Sequence, residues 1–393
     1  MPLGELCEFQ RGLTYAKGDE VEFSENVVLR ATNINLATNT LDFKELKYIS
    51  DTVAVPESKK VKKNSLMICT ASGSKSHLGK VAFIDDDYGY AFGGFMGMIT
   101  PKSGLLPKYL FHLMTSDAYK DFIAELSDGV NINNLKFDDL RKFAVPHPSL
   151  GEQQRIVGIL DEAFEDIATA KANAEKNLQN SRALFESHLQ SVFSQRGEGW
   201  VAKTIGEVCI LRSGTTLPKE IEKPSGEIAY LKVADMNIGD NLNGVTCSSR
   251  YVNKSEVNAS NLLPVGTTIF PKRGGAILTN KKRLTERVIC ADLNIMGVTP
   301  GKALLPKLLY FYFLNVDMRE LGSGSSIPQI NNYDIEPLAI SFPSLLSEQI
   351  RIVNRLETLF AETQRLESIY QRKLAALGDL KKSLLHQAFN GEL

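Results

Sequence analysis

Pro148-Ser149-Leu150-Gly151-Glu152-Gln153-Gln154-Arg155-Ile156-Val157 recurs as Pro343-Ser344-Leu345-Leu346-Ser347-Glu348-Gln349-Ile350-Arg351-Ile352-Val353, and each copy opens a long segment without proline. The copies stand 195–196 residues apart. Working outward from them, the rest of the chain repeats in the same order. Leu3-Gly4-Glu5-Leu6-Cys7 returns as Ile205-Gly206-Glu207-Val208-Cys209 at an offset of 202. Arg30 to Asn35 falls on Lys232 to Asn237, and Asn64 to Ile68 on Gly266 to Phe270, at the same offset. Leu105-Leu106-Pro107-Lys108 returns as Leu304-Leu305-Pro306-Lys307 at 199. These blocks in one order, drifting by a few residues, describe a tandem repeat with small loop insertions.

Each copy pairs a globular segment of about 150 residues with a helical one of about 45. The expected boundaries are 1–151, 152–195, 196–347 and 348–393. In the globular segments, short β-branched and aromatic runs such as Val27-Val28-Leu29, Leu66 to Cys69, Lys80 to Ile84 and Phe95 to Thr100 predict strands. Leu106 to Met114 and Leu305 to Leu314 predict short helices, each with proline in its first turn. From Glu152 to Gln195, apolar residues recur every three or four positions (Ile156, Ile159, Leu160, Ala163, Ile167), and Glu348 to Phe389 repeats the stripe. Ser149 with Glu152 forms a capping-box pattern, and Gly197 and Gly199 mark the end of the first helix. At 1.5 Å per residue each helix is about 65 Å long and needs a partner for its stripe. The two helices carry charges of −3 and +2, which favours their pairing as an antiparallel coiled coil. The fold class is therefore α+β: two mixed domains separated by a two-helix coiled coil, related by a pseudo-twofold axis.

Composition excludes several alternatives. The chain has 393 residues, with 43% hydrophobic and 23% charged residues, which fits a soluble globular protein. It holds no uncharged apolar run of about 18 residues for a membrane span. A basic-then-apolar leader is missing at Met1, and the five cysteines lack CxxC spacing. Both features point to a reduced, cytoplasmic setting. The net charge is −1, so a nucleic-acid partner would be held by local basic residues, with other subunits sharing the electrostatics.

Two similar but diverged domains on a rigid spacer suit a split, asymmetric DNA site with a fixed gap. The order of Ile205 to Cys209 after Trp200, Pro343 to Gln349 opening a helix, and Ser383-Leu384-Leu385-His386-Gln387-Ala388-Phe389-Asn390-Gly391-Glu392-Leu393 resembles the specificity subunit of type I restriction-modification systems. That resemblance covers the whole chain, and one departure is that the first copy lacks the aromatic lead-in seen at Trp200 in the second. It implies a non-catalytic subunit of a phage-defence complex with two target recognition domains. It also implies helices that dock two methylation subunits, and motor-nuclease subunits that join for restriction. No cofactor is expected on this chain; S-adenosylmethionine is expected on the methylation subunits. Consistently, the chain lacks the Asn/Asp-Pro-Pro-aromatic run of adenine methylation, a Walker loop, HExxH and GxSxG. The alternatives are a non-catalytic protein–protein adaptor and the specificity subunit of a related methylation or phage-defence system.

Candidate DNA-binding residues lie in corresponding stretches. Residues 272–287 of the second half hold six basic residues against one acidic, including Lys272, Arg273, Lys281, Lys282 and Arg283 beside Gly274, Gly275 and Asn280. A glycine-bearing basic loop after a strand suits close approach to phosphates and base edges. The first-half counterpart is rich in hydroxyls: Ser72, Ser74, Lys75, Ser76 and His77, followed by Lys80. Arg30, Asn33 and Asn35, matched by Lys232 and Asn237, combine long cations with amides that suit adenine. Asn131, Asn133 and Asn134, with Ser325, Ser326 and Gln329, read as turn or phosphate contacts. Cys7 and Cys209 read as buried packing, and Phe185 and Tyr370 as either core or partner surface.

Overall fold

A computed structural model describes the chain apart from residues 75–76, 129–133, 196, 243 and 322–327. Lys75, Ser76, Asn131, Asn133, Ser325 and Ser326 lie outside the described residues. The helical signals translate into two unbroken helices, Leu150–Phe193 and Leu346–Asn390. Ser149 Oγ accepts the Glu152 amide at 3.3 Å, which is one half of the capping box.

Each repeat builds the same pair of sheets. In the first, Cys7–Arg11, Met96–Pro101, Ser65–Cys69 and Val81–Ile84 form an antiparallel sheet in that spatial order. In the second, Cys209–Ser213, Ile295–Pro300, Thr268–Pro271 and Arg283–Leu284 do the same. Cys7 faces Pro101 and Cys209 faces Pro300, so the register carries the offsets of 202 and 199 read from the sequence. A smaller sheet follows each, with one parallel pair: Asn26–Leu29 beside Ala91–Phe92, and Ile228–Leu231 beside Ile289–Ala291.

Gly12 and Gly214 are where the chain crosses from one sheet toward the other. A Cβ on Gly12 would lie 2.0 Å from the Gly93 carbonyl oxygen, and one on Gly214 would lie 2.1 Å from that of Asp292. Neither position admits a side chain. The second repeat also pairs Trp200–Thr204 with Ala339–Pro343. In the first repeat the corresponding feature is a single bridge between Pro2 and Ala144. The stretch after Thr268–Pro271, expected to be an open loop, is instead a short 3-10 helix, Gly274–Thr279, because Ile277 is buried in the core and anchors it.

The chain divides into two compact units, Met1–Glu175 with Arg372–Leu393, and Lys176–Gln371. The cut falls inside both long helices, so it differs from the repeat boundary. In the first unit, Ile156 and Leu160 of one helix and Leu385 and Ala388 of the other close one core with Tyr109, Leu110 and Leu113. In the second, Phe185, Leu189, Val353 and Leu356 do so with Leu308, Leu309, Phe311, Tyr312 and Phe313. The two long helices pack together and run antiparallel within each unit. Phe164 is met by Lys381, and Arg182 by Glu367. Phe185 belongs to the core, its ring 5.2 Å from that of Phe360. Cys7 and Cys209 are buried, and burial pushes both thiols up to about 12.

A buried glutamine seats each long helix on its domain. Gln153 Nε2 donates to the carbonyls of Gly104 and Pro148, both at 3.0 Å, and its Oε1 accepts the Leu106 amide at 2.8 Å. Gln349 repeats this with Ala303 and Pro343 at 2.8 Å and the Leu305 amide at 2.9 Å. Lys108 pairs with Asp161, and Lys307 with Glu357, at equivalent positions.

Candidate functional site

The surface of interest forms where the main-sheet strands end beside the smaller sheet. In the first unit the carbonyl of Phe95 accepts the Thr70 amide at 2.9 Å, the Thr70 hydroxyl at 2.9 Å and the Ala71 amide at 3.2 Å. These bonds fix the Gly93-Gly94-Phe95 turn while the Phe95 side chain remains in water, the residue being 74% exposed. Beside it lies a cleft of about 760 Å³ whose lining includes Tyr15, Lys17, Arg30, Thr32, Ser72 and Phe95. Arg30 enters from the end of Asn26–Leu29. Its Nε is buried without a hydrogen-bond partner, and no ion pair neutralises it among the described residues.

The second unit places different chemistry on the same frame. The Asn294 carbonyl accepts the Lys272 amide at 2.8 Å, as Phe95 does that of Thr70. Asn294 Nδ2 turns back onto Asp292 Oδ1 at 2.7 Å instead of projecting. Lys232, equivalent to Arg30, is paired with Glu222 at 2.8 Å, and its ammonium lies 5.4 Å from the Tyr230 ring centroid.

Several expected contact residues bond to internal groups. Asn33 is buried. Its Oδ1 accepts the Arg30 amide at 2.8 Å and its Nδ2 donates to the carbonyls of Asp42 and Glu45 at 2.8 and 2.9 Å. Its equivalent Asp235 likewise accepts the Lys232 amide at 2.8 Å. Lys80 Nζ donates to the Ile34 carbonyl at 3.1 Å. Lys272 is buried on Ser213 Oγ at 2.7 Å. Asn280 adopts a left-handed conformation with φ 53°, and its Oδ1 accepts the Met318 amide at 2.9 Å and Lys282 Nζ at 2.7 Å. Lys282, also buried, donates to the Val316 carbonyl at 2.6 Å. Arg283 is half-buried and donates to the Lys282 carbonyl at 2.8 Å. Lysine and asparagine signal polarity in a sequence, but here that polarity satisfies backbone groups at chain crossings.

Other candidates stay outward. Arg273 is exposed and without a side-chain partner among the described residues. Lys281 donates to Asn237 Oδ1 on the surface. Ser72 Oγ accepts the Ser74 amide at 3.2 Å, and the Ser74 carbonyl accepts the His77 amide at 3.1 Å, shaping the loop beside the first cleft. Asn35 Oδ1 accepts the Ala37 amide at 2.9 Å, closing a turn. Asn134 and Gln329 each sit in an isolated bridge, to Ala71 and to Arg273, so the segments before the long helices return to these loops.

Comparison with known proteins identifies what carries this frame. The family model of the type I restriction modification DNA specificity domain matches twice, over residues 1–178 and 197–373. The chain belongs to the type I restriction-modification DNA specificity family. This specificity subunit is 27% identical over 417 residues to the StySPI specificity subunit of Salmonella potsdam and 26% identical over 420 residues to the EcoKI specificity subunit of Escherichia coli K12. Each alignment covers 100% of this chain and 88% of the relative. Among solved structures, it shares its fold with a chain from a study of type I R-M complex assembly and conformational transition. The TM-score is 0.80 at 19% identity, covering 100% of this chain and 97% of that one. It also resembles the HsdS subunit from Thermoanaerobacter tengcongensis (TM-score 0.61, 20% identity, 100% and 96% coverage). The subunit is the non-catalytic, DNA-specificity part of a type I restriction-modification enzyme. Among the described residues, none of its helices is long and apolar enough to cross a membrane.

Phe95, which the sequence places at the start of a strand, is a further candidate contact residue shown by its exposure beside the cleft. The preceding Gly93-Gly94 pair was the available signal of a turn. Lys282 has a measurable signature of its own. Burial pushes its ammonium down to about 8, against about 10.4 in an unfolded chain. Below pH 8 both states hold the proton and the cost of burying the charge is fully present. Between pH 8 and 10 the unfolded chain binds more protons, so stability rises with pH in that window. The difference in unfolding free energy between wild type and Lys282→Met is expected to move in favour of wild type by about 2 kcal/mol from pH 7.5 to 10. Denaturant titrations across that range check it, and a pH-independent difference overturns it.

Proposed function

We propose that each recognition domain of this specificity subunit reads one half of a bipartite, asymmetric DNA site at the strand-end surface described above. In the first domain Arg30 grips the O6 and N7 acceptors of a guanine, a pairing that suits an unpaired guanidinium. Phe95 packs against a thymine methyl, and Ser72, Ser74 and His77 supply phosphate or base contacts. Lys75 and Ser76 belong to the same proposed loop. In the second domain Arg273, Lys281 and Asn237 form the outward set, and Lys232 takes a supporting role. The observation that carries this reading is that one backbone frame presents a free Arg30 and an exposed Phe95 in one repeat, and a neutralised Lys232 and a tied-back Asn294 in the other.

The long helices, 44 and 45 residues without a break, act in this reading as the spacer that fixes the gap between half-sites and as the seat for two methylation subunits. S-adenosylmethionine resides on those subunits, and motor-nuclease subunits join for restriction. The test is methylation mapping in cells expressing the subunit with its methylation partner, before and after residues 1–151 are exchanged for those of a relative. A split motif in which one half changes and the other persists is expected. A folded complex that leaves DNA unmodified, or an exchange that alters both halves, overturns the assignment.

A further inference from the structure

The first unit holds a second cleft, of about 700 Å³, lined by Lys80, Lys120, Lys171, Lys381 and Lys382, with no Asp or Glu in its lining. Lys80 is committed to the Ile34 carbonyl and Lys120 to Asp117 at 2.9 Å. Lys171 and Lys382 have no ion pair among the described residues. The Lys381 ammonium lies 4.6 Å from the Phe164 ring centroid. Burial first, and then the charges of Lys171 and Lys120, hold it below its ordinary range.

The repeat shows that this charge is not a requirement of the fold. The residue equivalent to Lys381 is Phe185, whose ring packs 5.2 Å from Phe360, itself equivalent to Phe164. Gly378 and Lys171 become Arg182 and Glu367, which pair at 2.9 Å. Lys120 becomes Arg319, and both are ion-paired, with Asp117 at 2.9 Å and Asp317 at 2.5 Å. At the same scaffold positions, the second unit places aromatic packing and the Arg182–Glu367 pair, while the first gathers Lys171, Lys381 and Lys382 with Asp117, already paired with Lys120, as the acidic group whose charge Lys382 also meets. Retaining like charges around a cleft costs stability unless an anion neutralises them.

We propose that this cleft grips the phosphate backbone of duplex DNA beside the half-site read by the first domain. The proposal rests on the reading under Proposed function and extends it to a residue set on the two long helices. DNA is favoured over an acidic protein surface by continuity. One rim of the cleft, Leu78 to Lys80, follows directly on His77, so a strand contacting His77 leads into the lysines. Lysine suits this task as a point charge that accepts any phosphate geometry, and such contacts carry no sequence preference.

The test is equilibrium binding of the assembled methylation complex to a fluorescent duplex carrying the mapped site and to one with the first half-site scrambled, at several salt concentrations. The variant Lys171→Gln/Lys381→Gln/Lys382→Gln is compared with its Lys→Arg counterpart. The Gln variant is expected to bind more than tenfold more weakly at 50 mM salt. The slope of log affinity against log salt is expected to be shallower by about 2–3, from three phosphate contacts at about 0.9 each. The loss is expected to be equal on both duplexes, and the Arg variant to retain both affinity and slope. An unchanged slope in a complex that still assembles overturns the proposal. Loss of subunit assembly with unaltered DNA binding by the complex that remains overturns it in favour of a protein partner. If Arg30→Gln and Arg273→Ala also leave DNA recognition untouched, the strand-end reading itself has failed, a result separable from failure at the lysines alone.

Discussion

Replacing Gln349 by Ala is expected to lower the melting temperature of the second unit by on the order of 10 °C. The residue is fully buried, and its amide links the first turn of Leu346–Asn390 to the Ala303 carbonyl, the Pro343 carbonyl and the Leu305 amide. Truncation leaves the Pro343 carbonyl buried without this partner, and the Ala303 carbonyl and Leu305 amide partly so. At about 1–3 kcal/mol for each unsatisfied group, with partial relief by water, the loss is about 3–5 kcal/mol. Gln349→Glu keeps an acceptor for the Leu305 amide but sets a carboxylate against two carbonyl oxygens, so it does not restore the wild-type value. Trp200 is the only tryptophan in the chain and lies in the second unit, so its fluorescence reports this transition. A shift under 2 °C would refute the latch. Gln153→Ala has the same expected effect on the first unit.

The second expectation separates two residues that a sequence alignment of the repeats would treat alike. Arg30→Gln is expected to relax recognition at one base pair of the first half-site by 5- to 150-fold, the value of about 1–3 kcal/mol for a bidentate arginine contact. Lys232→Gln is expected to leave the recognised bases unchanged and to cost about 1 kcal/mol of stability. The reason is the partner. Glu222 holds Lys232 and lies 3.3 Å from Arg250, whereas nothing among the described residues neutralises Arg30. Methylation by the assembled complex on a pool of half-site variants reads both effects. An unchanged base preference in Arg30→Gln, or an equal change in Lys232→Gln, would remove the proposed asymmetry.

The repeat was legible because backbone register, unlike surface chemistry, is preserved through divergence. The offset of 202 between Cys7 and Cys209 and that of 199 between the proline helices reappear as strand partners. The long helices were legible from apolar period and capping. The site was legible only in outline. Lys272, Lys282 and Asn33 carry the residue types of nucleic-acid contacts, yet each satisfies internal polar groups. Whether a cation faces solvent or a buried carbonyl depends on tertiary placement, which local composition does not encode. Phe95 was hidden for the converse reason: an aromatic beside a strand reads as core, and only the hydrogen-bonded turn holding its carbonyl reveals that the ring is presented to solvent.

The unit that begins at Met1 is completed by Arg372–Leu393, and this sets a schedule for synthesis. Leu385 and Ala388, which close the core around Tyr109 and Leu160, leave the ribosome more than 200 residues after Glu175. At about 5–20 residues per second, the first domain waits on the order of 10–40 s with its helix-facing apolar surface uncovered. The whole of Lys176–Gln371 emerges in that interval. A chain halted before residue 372 would therefore carry a finished second unit and an unfinished first one, and would be open to proteolysis at the end that was made first.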